Sequence, residues 1–283
     1  MRHIVLKLKI LLNFINLAYS NILRNQKRNL MTITVLSLGY TAFILLGGYL
    51  NWTLYALNVY TVYNQRSSHI SIYKKGGLLK QSVNFSLYTF TPDEQQKIES
   101  ILKKRTDIEF FAAKFMAKGL VGNGCRTYPF SAVGINPNIE YKIKHHREVK
   151  NWLPKSIDFV KGKGIWEYSD DVGAITVAAG LSNLLGKTKV YDEFERTKSE
   201  LDNNTVVIDC ASKDINTKFS EDANVQLLTS DSSGSLSVID GEIVGVFNIG
   251  MKEEENTAVV TSLKLLQNLY KTSNVSSYAV WLY

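Results

Sequence analysis

The chain has 283 residues, a formal net charge of +7 and two cysteines. That length holds one large domain or two smaller ones beside a membrane anchor, and two thiols are too few for a metal framework of their own. The positive excess gathers at the N-terminus, since no acidic residue precedes Asp93; no basic stripe with interleaved aromatics follows, which argues against nucleic-acid binding.

The N-terminal segment places Ile4, Leu8, Leu11, Ile15, Ala18 and Ile22 on one helical face. Lys9, Asn13, Asn16, Ser20 and Arg24 fall on the other. A basic amphipathic helix of this kind lies among lipid headgroups with its cations near anionic lipid. A soluble helix packed on a partner has the same pattern.

Residues 30–65 carry no charged side chain. From Met31 to about Leu57 the run is long enough to cross a bilayer, because about 20 residues at about 1.5 Å each span the hydrocarbon core. Gly39, Gly47 and Gly48 would let another helix approach closely, although glycine is also ordinary in membrane helices. Trp52, Tyr55 and Tyr60 sit at one end, as rings at the headgroup level do. A buried helix of a soluble core seldom runs this long uncharged.

Arg2, Lys7, Lys9, Arg24, Lys27 and Arg28 precede the span with no acid to offset them. Excess Lys and Arg mark the cytoplasmic side. The N-terminus is therefore expected inside, with Arg24, Lys27 and Arg28 at the membrane interface and the chain after about residue 65 outside. The apolar run starts too far from the first methionine for a cleaved signal, so it reads as a retained anchor.

The outer part reads as mixed α and β. Residues 69–73 (HISIY) form a strand. Thr91 caps a helix that runs to about Lys104, with Pro92, Asp93 and Glu94 in its first turn. Residues 108–115 and 128–135 read as strands with Gly119, Gly122 and Gly124 as turns between them, and Asn136-Pro137-Asn138 as a break. Residues 138–171 resist assignment. Further strands are expected at 173–179, 206–209, 224–228, 236–238, 242–248 and 275–283, and helices at 181–185 and 262–270.

Catalytic motifs are absent. The stretch Gly180 to Gly186-Lys187-Thr188 has five residues between its glycines, where a phosphate-binding loop needs four. His145 and His146 are adjacent and diverge in either regular structure, so a solvated pair is the default over a metal site. Cys125 and Cys210 lie in a compartment where a disulfide could form, and their spacing leaves pairing open.

Taken as an ordered set, several segments are familiar. Residues 18–39 (AYSNILRNQKRNLMTITVLSLG) resemble the entry to the first membrane helix of MacB/LolE/FtsX-type ABC transporter permeases. His69-Ile-Ser-Ile72 is similar to that family's G-H-I-x-I strand, with Ser68 in place of the glycine. Gly119-Leu-Val, Val133-Gly134-Ile-Asn-Pro137, the 178–186 turn and helix, and residues 241–250 with 259–269 resemble its later segments in order.

The resemblance implies an α+β architecture. An amphipathic helix (1–29) and a transmembrane helix (30–63) would precede a two-part extracytoplasmic domain. That domain would comprise a porter-like half (64–137 and 242–283) and a β-rich insertion (138–241). It further implies a permease subunit of a bacterial inner membrane that dimerises with a like subunit or a paralogue. ATP would be bound and hydrolysed by a separate cytoplasmic ATPase, leaving this chain without a cofactor and without enzyme activity. A second span would follow Tyr283. The helix would carry motion into the outer domain to export or extract a lipoprotein, a peptide or a drug. A single-pass sensor or scaffold, and an FtsX-like regulator of cell-wall hydrolases, are the alternative readings.

Overall fold

The computed structural model describes residues 2–81, 84–152, 159–168, 173–187, 223–250 and 252–283, with the backbone alone for 2–11. It divides into two compact units, Met1–Leu57 and Asn58–Tyr283. The fold is mixed α and β: a long apolar N-terminal helix followed by a sheet-rich unit.

The first unit holds α1 (Arg2–Arg24) and most of α2 (Gln26–Val59). They meet at Asn25, whose N–H donates to the Asn21 carbonyl at 3.3 Å while its own carbonyl accepts from Asn29 at 3.0 Å. A π-helical turn, Tyr60–Asn64, continues α2. Together, Gln26–Asn64 is long and apolar enough to cross a membrane, and none of its most apolar window is buried. The serine and threonine hydroxyls of α2 are satisfied within the helix. Thr34, Thr41 and Thr53 each donate to the carbonyl four residues back at 2.8 Å. That arrangement suits a medium without water to bond.

The second unit is organised by one long strand. After β1 (Ile70–Tyr73), the short helices α3 (Gly77–Lys80) and α4 (Phe85–Tyr88), and α5 (Pro92–Leu102), the chain enters β2 (Ile108–Gly122). α5 starts at Thr91 as expected. Glu94 completes a capping box, with its carboxylate on the Thr91 N–H at 2.9 Å. The rest of the unit comprises β3 (Thr127–Ile135), α6 (Pro137–Lys144), α7 (Arg147–Trp152), β4 (Phe159–Gly162), a 3-10 turn (Ile165–Tyr168), β5 (Ala174–Ala178) and α8 (Ala179–Leu185). It ends with β6 (Asn224–Ser230), β7 (Leu236–Phe247), α9 (Lys252–Glu255), β8 (Ala258–Ser262), α10 (Leu263–Leu269) and β9 (Ser277–Leu282).

The first half of β2 pairs with β9, and β9 pairs with β1, all antiparallel. The second half joins a ring: β2 pairs with β3, β3 with β8, β8 with β5, β5 with β7, β7 with β6, and β6 returns to β2. Closure leaves these strands no open edge along the circuit. Phe115, Val121, Phe130, Ile175, Leu227 and Ile243 fill the core there, together with Leu181 and Leu185 of α8 and Leu265, Leu266 and Leu269 of α10.

β9 shows why its sequence is nearly all apolar. Successive side chains point to opposite faces. Tyr278 and Val280 pack with Phe90, Leu102 and Val275, whereas Ala279 and Trp281 pack with Val59, Tyr60, Val62 and Tyr63. A strand buried on both sides has no polar face to show.

Some expectations need correction. Gly119 and Gly122 are not turns but lie inside β2, and the turn occupies residues 123–126 with Gly124 at φ +96°. A Cβ on Gly119 would stand 2.2 Å from the Leu228 carbonyl oxygen, so the glycine marks the place where β6 closes the ring. Asn136-Pro137-Asn138 starts a helix: Asn136 caps α6 by accepting from the Asn138 N–H at 2.9 Å. The expected strands at 236–238 and 242–248 are one strand, β7, because Asp240 and Gly241 stay paired with Gln226 and Val225. β8 went unread in the sequence. The expected strand at 206–209 lies outside the described residues.

Candidate functional site

Residues 59–68 end the apolar helix and are held within the second unit by both apolar packing and polar bonds. No charge can sit in the hydrocarbon cheaply, so Arg66 is the first position at which the chain takes one up. The π-turn widens the path: Gln65 donates to Tyr60 at 3.0 Å, then Ser67 to Thr61 at 3.2 Å and Ser68 to Val62 at 3.0 Å. Such turns recur at functional positions in helices. Arg66 (φ +59°) and Ser68 (φ +63°) both adopt the left-handed conformation that favours glycine. Ser68 is the residue that replaces glycine in the resemblance, and its φ explains what a glycine there would relieve.

Apolar packing fixes the turn first. The Trp281 indole N–H donates to the Val62 carbonyl at 3.2 Å, and the Tyr60 hydroxyl to the Ile249 carbonyl. The Tyr63 ring stacks on His146 with centroids 4.4 Å apart. Tyr60, Val62 and Tyr63 are all buried.

A buried charge network then locks it. Arg66 and Glu140 are 6% and 1% exposed, and the guanidinium engages both carboxylate oxygens, with Nε 2.7 Å from Oε2. Arg66 Nη1 also reaches the Asn64 carbonyl at 2.9 Å. Lys144, on α6, donates to Asn64 Oδ1 at 2.8 Å, and Lys114, on β2, to the Arg66 carbonyl at 2.6 Å. Burial alone would raise the Glu140 carboxyl, but the charges of Arg66 and Lys144 and the Arg66 hydrogen bonds hold it below the usual carboxylate range. Burial, helped by the Arg66 charge, pushes the Lys114 ammonium down to about 8. Glu140 therefore stays ionised where Lys114 is near its midpoint.

Nothing in this arrangement aims a nucleophile or an acid–base pair at an open site. Among the described residues no group of three or more His, Cys, Asp or Glu could hold a metal ion. What the arrangement does is hold: it ties one helical turn to β2, α6, β9 and the residue Ile249 by charge, hydrogen bond and packing.

The residues singled out in the sequence lie elsewhere. Gly39, Gly47 and Gly48 sit along α2, where an added Cβ would meet nothing within 4 Å. Arg24, Lys27 and Arg28 are exposed at the α1–α2 join. Gly180 is inside α8 and Gly186 is its left-handed cap at φ +70°, so the phosphate-loop-like stretch is a helix with a glycine stop. Cys125, in the β2–β3 turn, is disulfide-bonded, and the chain's other cysteine, Cys210, lies outside the described residues. His145 and His146 diverge as expected, but they are not a solvated pair: His145 is exposed beside Tyr141, whereas His146 stacks on Tyr63 with 16% of its side chain exposed. Sequence reasoning missed Arg66, Lys114 and Glu140. The one available signal was that Arg66 is the first charge after an uncharged run.

No family model and no curated protein matches the sequence. Among solved structures, the chain is similar to the extracellular domain of the noncanonic ABC-type transporter YknZ from Gram-positive bacteria, at 12% identity and a TM-score of 0.39. That likeness covers 75% of this chain and 83% of the other. It is also similar to the periplasmic region of MacB from Actinobacillus actinomycetemcomitans, at 11% identity and a TM-score of 0.35 over 77% of this chain and 69% of that one.

Proposed function

We propose that the chain is a permease subunit of an ABC-type transporter whose outer unit is moved through its first membrane helix. One observation carries the reading: the last turn of that helix, Tyr60–Asn64, is buried in the core of the sheet-rich unit instead of leading into it through a linker. A flexible tether would suffice for an anchored sensor. A turn held by Arg66, Glu140, Lys114 and Trp281 suits a part that transmits force.

The sequence resemblance supports the rest. A cytoplasmic ATPase would bind and hydrolyse ATP, and two permease subunits, identical or paralogous, would close and part along helices that meet at Gly39, Gly47 and Gly48. Arg24, Lys27 and Arg28 would face the cytoplasmic headgroups of a bacterial cell membrane, with residues after about 65 outside. The cargo would be amphipathic: a lipoprotein, a peptide or a drug.

The test is a distance. Spin labels at exposed Leu79 in both subunits of the full permease, reconstituted with its ATPase, should report a changed separation when ATP replaces the empty state. A separation indifferent to nucleotide would remove the mechanical reading and leave the sensor or scaffold.

A further inference from the structure

The Tyr63 ring has an imidazole on two sides. His146 stacks on it at 4.4 Å, and His69 meets it edge-on at 5.9 Å. The hydrogen bonds fix both tautomers. The Leu282 N–H donates to His69 Nδ1 at 3.1 Å, which accepts only while unprotonated. The Glu148 N–H donates to His146 Nδ1 at 3.3 Å, which leaves the His146 Nε2–H to face Glu109 Oε2, 3.3 Å away. His69 precedes β1 and Leu282 ends β9, so one imidazole nitrogen pins the close of the last strand to the start of the first.

We propose that His69 is an acid-triggered release for the helix-end anchor, in which a proton on His69 Nδ1 expels the Leu282 amide from the end of β9 beside Tyr63. The proposal rests on the anchor described above, but not on any transport step. On protonation, His69 Nδ1 becomes a donor facing a donor, and that bond is lost outright. Charges on the surrounding elements decide how far the release goes. From β2, Glu109 favours the proton on His69 while His146 opposes it, and the same carboxylate stands 3.3 Å from His146 Nε2. Glu148 reaches His146 through its backbone, and its side chain pairs with Arg147 at 3.5 Å. Arg66, Glu140, Lys114 and Lys144 are engaged with one another or with Asn64.

The direction agrees. Burial holds His69 below its ordinary value, with Glu109 pulling it up and His146 pushing it down. A histidine lowered in the closed form binds protons more weakly there than when released. The closed form is thus fully favoured above about pH 6.5 and loses ground as pH falls through and below it.

The experiment is hydrogen exchange by mass spectrometry on the full chain in detergent, with rates corrected for intrinsic pH dependence. Protection over residues 278–283 should fall between about pH 7.5 and about pH 5. In H69N the amide oxygen can accept the Leu282 bond at every pH, so protection should stay flat. H146Q removes the imidazole that opposes protonation of His69, so the fall should be shallower; H145Q, at the exposed neighbour, should match the wild type. A flat wild type, a wild-type slope in H69N, or an equal flattening by H145Q overturns the proposal. If H69N does not fold, an undiminished slope in H146Q overturns it instead. Neither ATPase activity nor transport is read, so failure here leaves the permease reading standing.

Discussion

Arg66 and Glu140 stand 74 residues apart in sequence, yet one edge of the guanidinium, Nε and Nη2, meets both carboxylate oxygens in a buried pair. The pair joins the end of the apolar helix to α6, and it is the part of the anchor most sensitive to losing one member. E140A would leave a buried cation without its counter-ion, at a cost of about 3–5 kcal/mol. The double variant R66L/E140L removes both charges and should cost less than E140A alone, because well-packed apolar residues often replace a buried pair with little loss. Denaturant unfolding in detergent measures both. A loss below about 1 kcal/mol in E140A would place the pair in solvent, against its burial.

Lys114 makes the anchor depend on alkaline pH. Its ammonium titrates at about 8 when folded and 10.5 otherwise. Between those values the unfolded chain holds more protons, so stability climbs as pH rises, by about 3 kcal/mol in all if Lys114 acts alone. K114M should flatten this climb between about pH 8 and 10. Glu140 acts at the other end: its lowered carboxyl contributes stability that is present above the ordinary glutamate range and lost as pH falls below it. Thermal melts across pH, wild type against K114M, separate the two, and an unchanged alkaline slope in K114M would assign the climb to another group.

Local chemistry was legible in the sequence where the signal was local. Thr91-Pro92-Asp93-Glu94 states a helix start in four residues, and the structure adds the reciprocal Glu94 bond. The uncharged run likewise announced α2, since length and apolarity suffice to define it. Closure of the ring was not legible. Gly119 looks like a turn residue until β6, more than a hundred positions later, is seen to pass 2.2 Å from where its Cβ would be. The anchor failed to show for the same reason. Arg66, Lys114 and Glu140 come from three segments, and nothing in the spacing of a single sequence reveals which charges will be buried together.

Ser68 offers a direct test of the left-handed turn. At φ +63° a β-branched side chain is strained, so S68V should destabilise the second unit by about 1–3 kcal/mol. S68G removes the strain but also the hydroxyl, which donates to the Ile70 carbonyl at 2.9 Å. The two effects oppose, and S68G should lie within about 1 kcal/mol of the wild type. Unfolding midpoints that rank S68V above S68G would show that the turn does not hold this conformation in solution.

Gly119 tests the ring. G119V brings methyl groups against the Leu228 carbonyl and the Phe130 ring, whose Cε1 would lie 2.9 Å from the new Cβ. Backbone cannot swing aside as a side chain can, so β6 must leave β2. Hydrogen exchange should rise over residues 224–230 while β9 stays protected, because the first half of β2 pairs independently with β9. Equal loss of protection in both strands would mean that ring and outer sheet unfold as one.

Gly47 and Gly48 separate folding from assembly. Neither glycine has an atom within 4 Å of an added Cβ, so leucine at both positions meets no obstacle within the chain. Leucine is also the better helix former by somewhat under about 1 kcal/mol at each site. G47L/G48L should therefore keep or increase helix content by circular dichroism. If these glycines admit a second helix, the same substitution fills the space that its backbone needs, and self-association in detergent should drop by about tenfold or more for each 1.4 kcal/mol of packing lost. Resonance energy transfer between donor- and acceptor-labelled chains reads that loss directly. Unchanged transfer alongside unchanged helix content would take the helix contact away from this face of α2 and leave the glycines as ordinary membrane-helix composition.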